Sequence, residues 1–212
     1  MQKIDAFLDK YSLTIVIIIH SVGVIGLLSP LKSVVAALTP INLLISCLLL
    51  LYKQESKTSS FYTFCLIILM TGFTIEAVGV NTGFPFGEYS YGNVLGPKII
   101  GTPLVIGVNW LLLIIAIGSY VNSLSINVWK KVVLSAALMV ILDVLIEPVA
   151  ISLNFWSWDT TSVPFQNYLG WFLISVVMFS AYFLLPLSRE NKLGKLLFII
   201  QLLFFSLLNI SL

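Results

Sequence analysis

Charge is the scarcest commodity in this sequence: of 212 residues only 9% are charged, against 59% hydrophobic, and the mean hydropathy is +1.06. A soluble domain of that length needs far more charge on its surface, so the composition belongs to the membrane class. The net charge of +2 is too small to imply a nucleic-acid partner. Cysteine is scarce too. Cys47 and Cys65 sit in separate apolar runs, where they read as small packing residues and not as a disulfide framework or metal site. With one histidine, His20, no His/Cys/Asp/Glu set has dependable metal spacing, and a metal site would have to be all-carboxylate. The sequence contains no phosphate-cradling loop, nucleophile motif, internal repeat or low-complexity segment, and it reads as one integral membrane domain over residues 1–212.

What it does have is apolar length. Runs near 11–29, 34–52, 61–80, 103–121, 132–152, 168–187 and 195–212 are long enough to cross a hydrocarbon core. In lipid every backbone polar group must be satisfied internally, which makes these runs helices. The expected fold is all-α: a polytopic transmembrane bundle of about seven helices, the last of them short. The segment MQKIDAFLDK before the first run is polar, the run itself is too long for a signal-peptide core, and no small-x-small site follows. It therefore reads as a spanning helix. Lys3, Lys10, Lys53, Lys57, Lys130, Lys131, Arg189, Lys192 and Lys195 fall on the side of the N-terminus, with only Lys32 and Lys98 opposite. That asymmetry predicts a cytoplasmic N-terminus and an external C-terminus in the cell (inner) membrane.

Two connections are neither short nor charged: NTGFPFGEYSYGNVLGPKIIGTP (81–103) and NFWSWDTTSVPFQNY (154–168). Both fall on the external side, where Tyr and Trp suit the headgroup region, and their Gly-Pro turns argue for a compact backbone shape. Beneath them lie costly polar groups. Glu76 is in the third run, Asn109 in the fourth, and Asp143 and Glu147 share one face of the fifth. Their similar depth on three helices predicts one shared cavity under the aromatic loops. Pro148 follows Glu147, removing a backbone donor and freeing the Val144 carbonyl beside the acids. The plainer alternative is that the carboxylates only hold helices together. His20, alone in the first helix, reads first as a packing residue.

Buried acids, aromatic walls and no cofactor suit protonation of an alkene. Burial keeps a carboxyl protonated without making it a stronger acid. The barrier must fall because the carbocation is stabilised, by a second carboxylate and by aromatic faces. Water then adds at the tertiary carbon.

The blocks EAVGVNTGFPFGEYSYGNVLGPKIIGTPLVIGVNW (76–110), LDVLIEPVAISLNFWSW (142–158) and PFQNYLGWF (164–172) resemble, in order, the signature blocks of the CruF-type carotenoid biosynthesis proteins. The likeness spans the middle half of the chain, and the combination is specific where each block alone is weak. It implies a cofactor-independent membrane hydratase acting on the terminal 1,2 double bond of an acyclic ψ end group, giving a 1-hydroxy carotenoid. It implies as partners an acyclic carotenoid of the lycopene or γ-carotene type, water, membrane lipid and other carotenoid-pathway enzymes. The family's acids fall on Glu76, Asp143 and Glu147. Glu147 departs from the frequent Asp of that pattern and is longer by one methylene. Asn109, Trp110, Tyr89, Tyr91, Trp156, Trp171 and Asn167 become candidates for holding water, lining the polyene tunnel or flanking the cation. Interfacial packing is the alternative for each aromatic. Rival readings are an acid-triggered end-group cyclase, which leaves the mass unchanged, and a non-enzymatic transporter or lipid binder. A retinal protein is disfavoured because residues 196–212 contain no lysine.

Overall fold

The computed structural model describes residues 2–211; Met1, Leu212 and the side chains of residues 2–4, Lys3 among them, lie outside the described residues. Every apolar run folds as helix: α1 (Gln2–Leu27), α2 (Lys32–Ala37), α3 (Thr39–Tyr52), α4 (Ser59–Thr82), α5 (Val105–Asn122), α6 (Val128–Ser152), α7 (Phe165–Leu184) and α8 (Lys192–Ser211). Six of these are long and apolar enough to cross a membrane. The chain is a polytopic all-α membrane bundle.

The second run departs from a single helix. Pro40 sits in the first turn of α3, where its missing donor is harmless, and the chain breaks at Leu38 just before it. With 14 residues, α3 is too short to span alone. Its C-terminal end nevertheless reaches the start of α1, where Tyr52 donates to the Asp5 carbonyl (2.9 Å) and Lys53 pairs with Asp9. At the opposite end α2 packs on α1, with Val35 pressed over Gly26. The polar lead before the first run is thus helical as well, its carbonyls and acids meeting the end of α3.

Further hydrogen bonds gather the basic end. Asn191 donates to the Leu50 carbonyl (2.8 Å), Gln54 to the Ser188 carbonyl (2.7 Å) and Asn122 to Glu190 (3.1 Å). Arg189 caps α7 by donating to the carbonyls of Tyr182 (2.9 Å), Phe183 (2.8 Å) and Leu185, three of the acceptors a helix end leaves open. The seventh run is a full helix of 20 residues. Its Asn209 donates to the Leu145 carbonyl at 2.5 Å, within one turn of Pro148 in α6. α5, apolar on all sides, is the central helix, touching α3, α4, α6, α7 and α8.

At the other end the two aromatic connections pair with each other. β1 (Tyr89–Tyr91) and β4 (Trp156–Trp158) form an antiparallel ribbon in the register Tyr89↔Trp158, Ser90↔Ser157, Tyr91↔Trp156. Strand residues two apart share a face, so Y-S-Y and W-S-W put all four aromatics on one side and both serines on the other. Gly92 closes this ribbon: its backbone N–H donates to the Phe155 carbonyl (2.8 Å), and a Cβ there would lie 2.1 Å from the Asn154 oxygen. A second hairpin, β2 (Lys98–Ile99) with β3 (Thr102–Pro103), leads into α5.

Candidate active site

The aromatic face of the ribbon looks down on the three acids. Glu76 on α4 is 3% exposed, Asp143 on α6 1% and Glu147 on α6 2%. Burial of that degree is costly for a carboxyl unless donors meet it, and the ribbon supplies them. Tyr89 and Tyr91 both donate to Oε2 of Glu76 (2.6 and 2.7 Å), and Trp110 Nε1 on α5 donates to Oε1 (3.0 Å). Trp156 and Trp158 both donate to Oε2 of Glu147 (3.0 and 2.9 Å). One strand therefore serves one acid and its partner strand the other. Burial first and the Glu76 carboxylate second push the phenols of Tyr89 and Tyr91 well above the ordinary phenol range, so both remain donors.

Asn167, on the first turn of α7, bridges the acid pair. Its amide nitrogen donates to Oδ2 of Asp143 (2.8 Å) and to Oε1 of Glu147 (3.3 Å). Glu76 and Glu147 thus each receive three hydrogen bonds, and Asp143 one. Oδ1 of Asp143 has no partner among the described residues. The three acids, with Asn167 and the aromatics, line a small void of about 20 Å³, which is room for one water.

The side walls are aromatic. Trp171 on α7 stacks on Trp110 (centroids 4.2 Å apart, planes 14° from parallel), and Phe86 lies 6.3 Å from Trp171. Gly79, one turn beyond Glu76, has no room for a side chain: a Cβ would lie 2.7 Å from the Phe86 ring and 2.8 Å from the Tyr89 hydroxyl.

Of the residues singled out in the sequence, Glu76, Asp143, Glu147, Tyr89, Tyr91, Trp156, Trp171 and Asn167 all line this void. Trp110 stands one layer back, behind Glu76 and Trp171. Asn109 does not join them: it is half-buried and makes no hydrogen bond to the acids. Consecutive helical residues point about 100° apart, and on α5 it is Trp110 that faces Glu76. Two lining residues were missed, Phe86 and Trp158. The W-S-W spacing carried the signal for Trp158, since a strand that aims Trp156 at the site aims Trp158 there too. His20 lies elsewhere, in a separate cavity. Among the described residues no group of three or more His, Cys, Asp or Glu is arranged to hold a metal ion.

Fold and site together define a polytopic helical membrane protein with a buried acid cluster roofed by an aromatic ribbon at one end. Residues 33–210 match the family described as carotenoid biosynthesis protein. The chain belongs to that family. It is also 30% identical over 128 residues to the bisanhydrobacterioruberin hydratase of Haloarcula japonica, an alignment covering 53% of this chain and 42% of that relative. The chain thus aligns with less than half of that relative's length. No solved structure matches it.

Proposed function

We propose that this protein hydrates the terminal 1,2 double bond of an acyclic (ψ) carotenoid end group, of the lycopene or γ-carotene type, to give a 1-hydroxy carotenoid. The observation that carries the reading is the inequality of the acids around a water-sized void. Three donors each suit Glu76 and Glu147 to the ionised state, because a carboxylate accepts and a carboxylic acid must also donate. Asp143, with one donor and a free oxygen, is the group suited to hold a proton and deliver it.

Asp143 Oδ1–H gives its proton to C2 of the alkene, and the C1–C2 π electrons form the new C–H bond. The positive charge left on tertiary C1 is offset by the carboxylates of Glu147 and Glu76 and by the faces of nearby aromatic rings. A water molecule bonds to C1, and the proton it sheds returns to Asp143. The sum is alkene plus water to tertiary alcohol, with the acid regenerated. Asn167 is a positioning residue that holds Asp143 and Glu147 in one geometry. A void of about 20 Å³ holds water but not an isoprenoid end group, so the aromatic lining must part to admit the substrate. The name of the Haloarcula relative supports a hydration, and water-sized room inside the acid cluster favours it over cyclisation.

By the positive-inside rule the basic end faces the cytoplasm, with the acid cluster near the outer face of the cell membrane. The test is expression in a lycopene-producing bacterium, with the pigments separated by chromatography and weighed. Wild type should yield a more polar pigment, heavier by one water, with its chromophore unchanged. Asp143→Asn should yield none at normal protein levels. Full hydration by that variant would remove Asp143 from the mechanism.

A further inference from the structure

A second cavity lies back to back with the acid cluster, across α6. The acid pair occupies one face of that helix. Val149 and Leu153 occupy another, and with α1, α2, α3 and α8 they line a groove of about 290 Å³. Near the ribbon the wall is Phe155, next in sequence to Trp156 of the acid site. The lining is almost wholly apolar, and it includes no Lys, Arg, Asp or Glu.

Into this groove three helices each place a polar group with an unmet valence. His20 of α1, 7% exposed, has its Nδ1 2.8 Å from the Val16 carbonyl. A carbonyl can only accept, so Nδ1 carries the hydrogen and Nε2 is left as a bare acceptor. Gln201 of α8, 4% exposed, makes no hydrogen bond among the described residues, and its Oε1 is enclosed without a partner. It lies one turn from Phe204, whose ring meets that of His20 edge-on at 5.6 Å. Asn42 of α3, half-buried, accepts from Ser46 (3.2 Å) through Oδ1, and its amide hydrogens have no acceptor among the described residues. A buried amide oxygen without a donor, as at Gln201, is costly, which argues for a ligand that meets it.

We infer that this groove binds the hydroxylated end of an isoprenoid chain. A hydroxyl donates its one hydrogen to Nε2 of His20 or Oε1 of Gln201, both bare acceptors, and its oxygen accepts from the free amide hydrogens of Asn42 or Gln201. A hydrocarbon end meets neither need. A phospholipid headgroup finds no cation here to hold its phosphate. The cavity is smaller than a whole polyene needs but suits one end of it. The inference rests on the hydration reading for the identity of its ligand: a hydroxylated isoprenoid is what that reaction makes, so the protein takes chains already hydroxylated at one end.

Binding needs no turnover, so it can be tested separately from the reaction. A labelled linear isoprenoid tertiary alcohol and its parent hydrocarbon are titrated against the full chain in phospholipid nanodiscs. The alcohol should bind about tenfold more tightly. Gln201→Leu and His20→Phe should each remove that preference without changing hydrocarbon binding, and Asp143→Asn should leave it intact. A photoreactive form of the alcohol should label α1 and α8 of the wild-type protein, a readout that does not depend on any variant folding. Equal binding of the two probes, a preference lost in Asp143→Asn, labelling of α4 and α7, or a phospholipid the alcohol cannot displace would each overturn the inference. Failure of pigment hydration with this preference intact would instead count against the hydration reading.

Discussion

Each acid in the cluster is distinguished by what donates to it. Asp143 has the single bond from Asn167, so Asp143→Asn removes the proposed proton donor and should cut hydration by roughly 100- to 10,000-fold, the range of general acid catalysis. Trp158→Phe keeps an aromatic ring, though a smaller one, and removes one of two indole donors to Oε2 of Glu147. It should lower the rate about tenfold, read as product formed per unit of protein. An unchanged rate would mean that the Trp158 indole N–H has no part in the reaction. The acids were legible in the sequence because carboxyls within apolar runs are rare and costly. Depth alone puts Asn109 with them. Depth is set by rise along the helix, whereas pairing depends also on azimuth, and azimuth turns Asn109 away while Trp110 reaches Glu76.

Among the elements, the helices were readable almost throughout, since lipid demands apolar length and apolar length is visible. The break at Leu38 was not, because no interruption of hydropathy marks it; Pro40 carried the only signal. Nor was the pairing of β1 with β4. Two aromatic loops separated by α5 and α6 show period two locally, but only the packed bundle brings them side by side. Gly92 is where that pairing is most exposed to test. With the Asn154 oxygen 2.1 Å from any Cβ, Gly92→Ala should push the strands apart, loosen the indole contacts to Glu147 and abolish activity while the helices remain. Helical circular dichroism beside pigment analysis checks both halves. At the same end of the bundle, Asn209→Leu removes the α8 donor to the Leu145 carbonyl, which lies between the two acids of α6 and beside Pro148. That change should cost roughly 0.5–1.5 kcal/mol of stability, seen as easier unfolding in mixed detergent.

For the whole molecule, most of the basic residues and the hydrogen-bonded turns sit together at one end, and the acid cluster sits under the ribbon at the other, with Lys98 donating to the Tyr91 carbonyl there. Both native cysteines are buried, so single introduced cysteines can report the orientation. A membrane-impermeant thiol reagent should label Thr161→Cys in intact cells and Glu55→Cys only after rupture; the reverse pattern would invert the topology. The reaction proposed for the cluster is the addition of water to an alkene. Its most direct test supplies lycopene to the purified protein in bilayers prepared in oxygen-labelled water. A tertiary alcohol carrying the solvent's labelled oxygen is the expected product, with the polyene absorption unchanged. A product of unchanged mass with a blue-shifted spectrum would contradict it and point to cyclisation.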